Sequence, residues 1–201
     1  MFSYIKGSLE EKMSNYIVVE NNGIGYKIFM SKNAIGRAGE ISENIKVYTH
    51  YHVREDEISL YGFLTNEEFK MFELLLSVSG VGAKSAISML SNISPSEFAV
   101  SIVNNDITKL TKVPGIGKKS AQRIVLELKD KLKAEQELMK GEEANTNSEE
   151  SDYNGDVEEA ISALQILGYN RKDVQKVLTK FDYKSMSIED IIRKGLKYLA
   201  K

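Results

Sequence analysis

Two short stretches of the chain carry glycine, lysine and serine at one spacing: Gly80-Val-Gly82-Ala-Lys84-Ser-Ala86 and Gly115-Ile-Gly117-Lys118-Lys119-Ser120-Ala121. Aligned on their first glycines, they lie 35 residues apart. A Gly-x-Gly turn that opens a helix exposes backbone N–H groups at the positive end of the helix dipole. Glycine also lets an anionic oxygen reach the main chain with no Cβ in the way. A lysine just inside the helix adds a mobile positive charge. Such a site grips a sugar-phosphate backbone and reads no bases. A nucleotide-binding loop is excluded, because that motif needs Gly-x-x-x-x-Gly-Lys-Ser/Thr. Here Lys119 follows Gly117-Lys118, Lys112 stands where the first glycine belongs, and in the other copy Ala83 precedes Lys84. The candidate backbone-binding residues are therefore Gly80, Gly82, Lys84, Gly115, Gly117, Lys118, Lys119 and Arg123.

Other reactive residue types are sparse. Glu55-Asp56 reads by composition as a solvated hairpin turn. Its neighbour Glu57 is adjacent in sequence, so successive carboxylates point to opposite faces and do not converge on a metal as a nuclease requires. His50 and His52 share a strand face, but with no third ligand they read as packing or surface residues. The chain has no cysteine, which excludes disulfides, thiolate metal sites and a cysteine nucleophile. No metal and no cofactor is expected.

The elements that must position the glycine turns follow from periodicity. Tyr16–Val19, Gly25–Met30, Ile45–Val53 and Ile58–Tyr61 are rich in β-branched and aromatic residues, with Asn21-Asn22-Gly23 as a turn. Five or so short strands within residues 1–63 suggest a small barrel of the open Greek-key kind. At Thr65 the pattern changes to helical. Thr65-Asn-Glu-Glu68 and Ser94-Pro-Ser-Glu97 are capping boxes, Asp106 caps a short helix, and Lys118 opens a longer one with Ala121, Ile124, Val125, Leu128 and Leu132 on one face. Residues 136–155 lose this periodicity and gather acids, asparagine and serine, the composition of a flexible tether. Residues 156–201 read as three helices, with Gly168 ending the first.

The net charge of −2 does not advertise a nucleic-acid binder. Its distribution is more telling. Residues 64–135 carry 10 bases against 8 acids, 136–155 carry 1 against 6, and 156–201 carry 9 against 7. Between Asp106 and Glu127 no acid occurs, while Lys109, Lys112, Lys118, Lys119 and Arg123 all fall there, a local basic patch. The start of the chain lacks the apolar core of a signal peptide, and no apolar run approaches the ~18 residues of a membrane span. A cytoplasmic protein with no membrane association is expected.

The doubled stretch resembles the helix-hairpin-helix, a module that holds duplex DNA backbone without sequence preference. Taken with the barrel, the acidic connector and the helical tail, the order and lengths resemble the RuvA family of Holliday junction-recognising subunits over nearly the whole chain. The most specific passages are Arg54-Glu55-Asp56 followed by Leu60-Tyr-Gly-Phe63, then Gly80-Val-Gly82, and Val113-Pro-Gly-Ile-Gly-Lys-Lys119. Ala83 departs from the proline that family members often carry, which implies a less rigid turn.

The resemblance implies an α+β multidomain chain. An OB-fold β-barrel spans 1–63, an all-α tandem helix-hairpin-helix domain 64–135, an acidic linker 136–155, and a three-helix UBA-like domain 156–201. It further implies a homotetramer, single or paired as an octamer, on four-way junction DNA, with Glu55 and Asp56 as an acidic pin at the crossover. The tail would dock the RuvB ATPase, since this chain has no nucleotide loop, and the RuvC resolvase would be a second partner. No catalytic residue is implied. Two other functions are compatible with a helix-hairpin-helix. A base-excision glycosylase would use Lys119 to attack the sugar and would need an aspartate roughly a helix further on, in a pocket between two helical domains. The nearest acids here are Glu127 and Asp130, the cysteines of the cluster many carry are lacking, and a strand-rich domain occupies the N-terminus. A generic duplex-binding adaptor would show no junction preference.

Overall fold

A computed structural model of the chain describes residues 2–142, 155–183 and 185–199. It divides into two compact units, Met1–Leu76 with Gly82–Ser94, and Ser77–Val81 with Pro95–Lys201.

The first unit is built on β1 (Tyr4–Lys12), β2 (Tyr16–Asn21), β3 (Ile24–Phe29), β4 (Asn44–Val53) and β5 (Ile58–Phe63). They form a closed barrel in the order β1-β2-β3-β5-β4. The open barrel expected from the strand count is thus closed, because β1 pairs antiparallel with both β2 and β4. A register shift between Leu9 and Glu11 bends β1 enough to serve both neighbours. Closure is narrowest between β3 and β5, joined in parallel at Phe29 and Tyr61. Ile5, Leu9, Ile17, Val19, Ile28 and Val47 alternate into the interior and are buried.

Two glycines make this interior possible. A Cβ on Gly7 would lie 1.8 Å from the Glu20 carbonyl oxygen, and one on Gly62 would lie 2.3 Å from Ile28 Cγ2 and 2.6 Å from Val47 Cγ1. A short helix, α1 (Lys32–Arg37), interrupts the strands, its start capped by Ser31, whose Oγ accepts the Ala34 N–H at 3.1 Å.

Helix α2 (Asn66–Leu76) is seated on the barrel by aromatic contacts. The Phe72 ring lies 4.8 Å from Phe63, 5.2 Å from His50 and 5.4 Å from Tyr61, centroid to centroid. One arm of the expected capping box forms, Thr65 Oγ1 accepting the Glu68 N–H at 3.3 Å. The Glu68 carboxylate in turn accepts the Leu64 N–H at 3.1 Å and pairs with the Arg37 guanidinium. Helix α3 (Ala83–Leu90) completes the unit, tied to α1 through Ser91 Oγ, which accepts the Lys32 N–H at 3.1 Å.

The second unit holds α4 (Pro95–Val103), α5 (Ile107–Thr111), α6 (Lys118–Glu142), α7 (Gly155–Ile166), α8 (Arg171–Leu178) and α9 (Ile188–Leu199). Val78, Phe98, Ile102, Leu110, Val113, Ala121, Ile124 and Leu128 are buried in its core. Asp106 caps α5 as expected, Oδ1 accepting the Lys109 N–H at 2.9 Å. Helix α6 runs on through Glu142, into the sequence that opens the acidic stretch. Lysine, glutamate, glutamine, leucine and methionine there are strong helix formers, so loss of apolar periodicity does not end the helix. The rest of the expected tether, 143–154, lies outside the described residues.

The three C-terminal helices expected from the apolar stripes are α7, α8 and α9, with α7 packing against α9 and α4. Gly168, at φ +78°, ends α7 in a Schellman motif: the Tyr169 N–H reaches the Leu164 carbonyl at 3.2 Å and the Gly168 N–H the Gln165 carbonyl at 2.8 Å.

The barrel interior has no room for a methyl group at Gly62. Gly62→Ala is expected to lower unfolding free energy by ~1–3 kcal/mol, measured by urea denaturation against the parent chain.

Candidate nucleic-acid interface

The two glycine stretches form the same backbone turn. In the first, the Val81 N–H donates to the Val78 carbonyl at 3.1 Å; in the second, the Ile116 N–H donates to the Val113 carbonyl at 3.0 Å. The third residue of each turn is a glycine with positive φ, +81° at Gly80 and +87° at Gly115. That is the type II pattern, in which glycine supplies the left-handed position and proline suits the one before it. Pro114 occupies that position in the second turn, Ser79 in the first. Val78, Val81, Val113 and Ile116 are all buried, so aliphatic side chains anchor both ends of each turn.

Each turn runs directly into a helix. Gly82 is the N-cap of α3, with extended φ −93° and ψ 170°, and makes no side-chain cap bond. Its carbonyl accepts the Ala86 N–H at 3.0 Å, as the Gly117 carbonyl accepts the Ala121 N–H at 2.9 Å. The first-turn N–H groups of such helices have no intrahelical acceptor. Ala83, the departure from proline, is the first residue of α3, the position where proline is most at home in a helix. Its methyl is buried, and the turn keeps the hydrogen bonds of its proline-bearing counterpart.

Lys84, Lys118 and Lys119 are exposed at the starts of α3 and α6. A cleft of about 380 Å³ opens at the second turn, lined by Ile107, Thr108, Thr111, Ile116, Gly117 and Lys118.

Not every cation of the basic patch is equally available. Lys109 Nζ lies 3.4 Å from Glu97 and 3.9 Å from Glu189. Arg123, placed among the backbone-binding candidates by sequence, spends its guanidinium on the first turn: Nη1 donates to the Ser79 carbonyl at 3.3 Å, and Nε lies 4.0 Å from Glu127. Glu127 Oε2 accepts the Ser79 N–H at 3.1 Å. Lys131 Nζ donates to Ser77 Oγ at 2.5 Å. One face of α6 thus braces the backbone of the first glycine turn. Glu127, one of the acids nearest to Lys119 in sequence, is held in this brace.

The acid pair sits at the β4–β5 turn, closed by the Arg54 N–H donating to the Glu57 carbonyl at 2.9 Å. Glu55 and Asp56 are exposed, with Arg54 Nε 3.8 Å from Asp56 Oδ1. His50 and His52 do share a strand face, their rings 6.0 Å apart, and both contact aromatic rings: His50 packs on Phe72, and His52 on Tyr61 at 5.8 Å. Burial lowers the His50 pKa, against the opposing pull of Glu73 at 3.9 Å. Among the described residues no three histidine, aspartate or glutamate side chains gather to hold a metal ion, and no helix is long and apolar enough to cross a membrane.

A small OB-like barrel, a pair of glycine turns each opening a helix, and a three-helix C-terminal region together define a multidomain protein of the helix-hairpin-helix class. Comparison with known proteins narrows this. Residues 1–62 match the RuvA N-terminal domain, residues 72–130 a SAM-like helix-hairpin-helix tandem, and residues 155–200 the RuvA C-terminal domain. The Holliday junction branch migration complex subunit RuvA of Acetivibrio thermocellus is 50% identical over 207 residues, spanning 100% of both chains. Those of Ruminiclostridium cellulolyticum and Clostridium perfringens are 48% and 46% identical, over 99% and 100% of this chain and 100% of theirs. The chain belongs to the RuvA family.

Proposed function

We propose that this chain binds four-way junction DNA by its sugar-phosphate backbone, without reading sequence, as the non-catalytic subunit of a branch migration complex. The observation that carries the reading is the pair of turns with matching hydrogen bonds, each presenting first-turn amides and an exposed lysine at a helix start. Two such sites engage phosphates by position and leave base edges untouched. The family's relatives are subunits of Holliday junction branch migration complexes, which supports a junction as the ligand.

The working form is a homotetramer, whose symmetry suits the near fourfold shape of an open junction. Assembly also multiplies a modest charge per chain. Counterion release grows with every phosphate neutralised, so four copies of a weak patch give strong, salt-sensitive binding. Glu55 and Asp56 act by repulsion: carboxylates among phosphates disfavour duplex lying across the centre and guide strands apart. The C-terminal helices α7–α9 dock the RuvB ATPase, which supplies the ATP-driven motion. The RuvC resolvase is a further partner, and the complex works in the cytoplasm.

Gel-shift titration of a four-way junction and a linear duplex of equal length is the direct test. Lys118→Ala and Lys84→Ala are each expected to weaken junction binding and to reduce the salt slope by about one unit for each phosphate left without its lysine. Unchanged affinity and slope in both variants would remove the phosphate-cradle reading. Glu55→Gln with Asp56→Asn is expected to leave junction affinity equal or higher while altering branch-migration rate; weakened binding would contradict a repulsive role. A chain ending at residue 155 is expected to keep junction binding and lose stimulation of the motor's ATPase, which a coupled ATPase assay reads directly.

A further inference from the structure

Glu57 links the acidic turn to the start of α3. Its carbonyl closes the β4–β5 turn by accepting the Arg54 N–H, and its side chain is engaged on both oxygens. Oε1 accepts a hydrogen bond from the hydroxyl of Ser59, a residue only 4% exposed, at 2.5 Å. Oε2 lies 3.7 Å from Lys84 Nζ. The buried serine fixes the carboxylate, so its charge stays beside the lysine without help from Lys84's own flexible stem. The Ser59 hydrogen bond first, and the Lys84 charge second, hold the Glu57 carboxyl below the usual carboxylate range, keeping it ionised.

Lys84 is otherwise open to solvent, its side chain 85% exposed. Its counterpart in the second copy is Lys119, and among the described residues no carboxylate lies within ion-pair distance of that lysine. The two copies therefore share a backbone but differ in the electrostatic state of their lysine.

We propose that Glu57 is a positioning residue that sets the strength of the first hairpin's grip on DNA, holding the Lys84 ammonium until a phosphate displaces it. The inference rests on the reading of Lys84 as a phosphate-binding lysine. An exposed ion pair is worth little in water, so Glu57 biases the lysine and does not lock it away.

The test is a double-mutant cycle in the full-length chain, with Glu57→Gln, Lys84→Ala and the two combined, titrated against a four-way junction between about 50 and 200 mM salt. Glutamine is isosteric and keeps an acceptor for Ser59, so the turn is preserved. Glu57→Gln alone is expected to tighten binding roughly two- to five-fold at the lowest salt, and to change the salt slope. In the Lys84→Ala background the same substitution is expected to change neither. An equal gain in both backgrounds would show that Glu57 repels DNA directly and overturn the proposal, as would no gain in the parent. If Lys84→Ala alone leaves affinity and slope unchanged, the phosphate-binding reading of Lys84 itself falls, a result distinct from failure of the cycle.

Discussion

Gly80 and Gly115 hold left-handed backbone between aliphatic side chains that are fixed in the protein core. The flanking Val78, Val81, Val113 and Ile116 are buried, and the type II reversal between them puts the third residue of each turn in the left-handed region. A side chain there would strain the backbone by about 1–2 kcal/mol. Each reversal runs directly into a helix, and the exposed lysines and the cleft at Gly117 lie at those helix starts. The candidate interface is a consequence of how hydrophobic anchors force a turn, with the cations added at its rim.

The same economy appears in the barrel. Its walls approach so closely that one inward position, Gly62, can hold no side chain at all, and another glycine, Gly7, lies against the neighbouring strand's carbonyl. A filled interior makes the barrel a support whose outer turns are exposed. The β4–β5 turn with Glu55 and Asp56 is such a place. Helix α2, seated through Phe72 on the aromatic faces of β4 and β5, carries the chain from this support toward the first glycine turn.

Much of this is legible in the sequence, for physical reasons that also mark where legibility stops. The glycine repeat can be read because its constraint is local: turn, helix start and lysine all fall within seven residues. The capping boxes at Thr65 and the cap at Asp106 are local in the same way. Strand β1 carries no such mark, because Gly7 fills the inward position between Ile5 and Leu9 and erases the alternation that identifies a strand. Helix α1 buries only Ala34 and Ile35, too little for a periodic signal. The partners of charged residues are invisible in the linear chain. Arg123 and Lys109 count as positive in any sequence tally, yet one braces a turn and the other sits among glutamates. Glu57 meets Lys84 only because the fold brings a barrel turn beside a helix start. Side-chain electrostatics depends on tertiary placement, and a linear pattern of charge does not encode it.

The brace between α6 and Ser79 makes the first glycine turn a composite of distant sequence. Its backbone amide is satisfied by Glu127, 48 residues downstream, and its carbonyl by Arg123, 44 residues downstream. At common rates of ribosomal synthesis that separation is roughly 2 to 10 seconds of chain growth. The earlier copy of the repeat therefore emerges with these exposed groups bonded to water and gains its side-chain brace only when the helix following the later copy has been made. The brace on the first hairpin is thus supplied by the helix of the second.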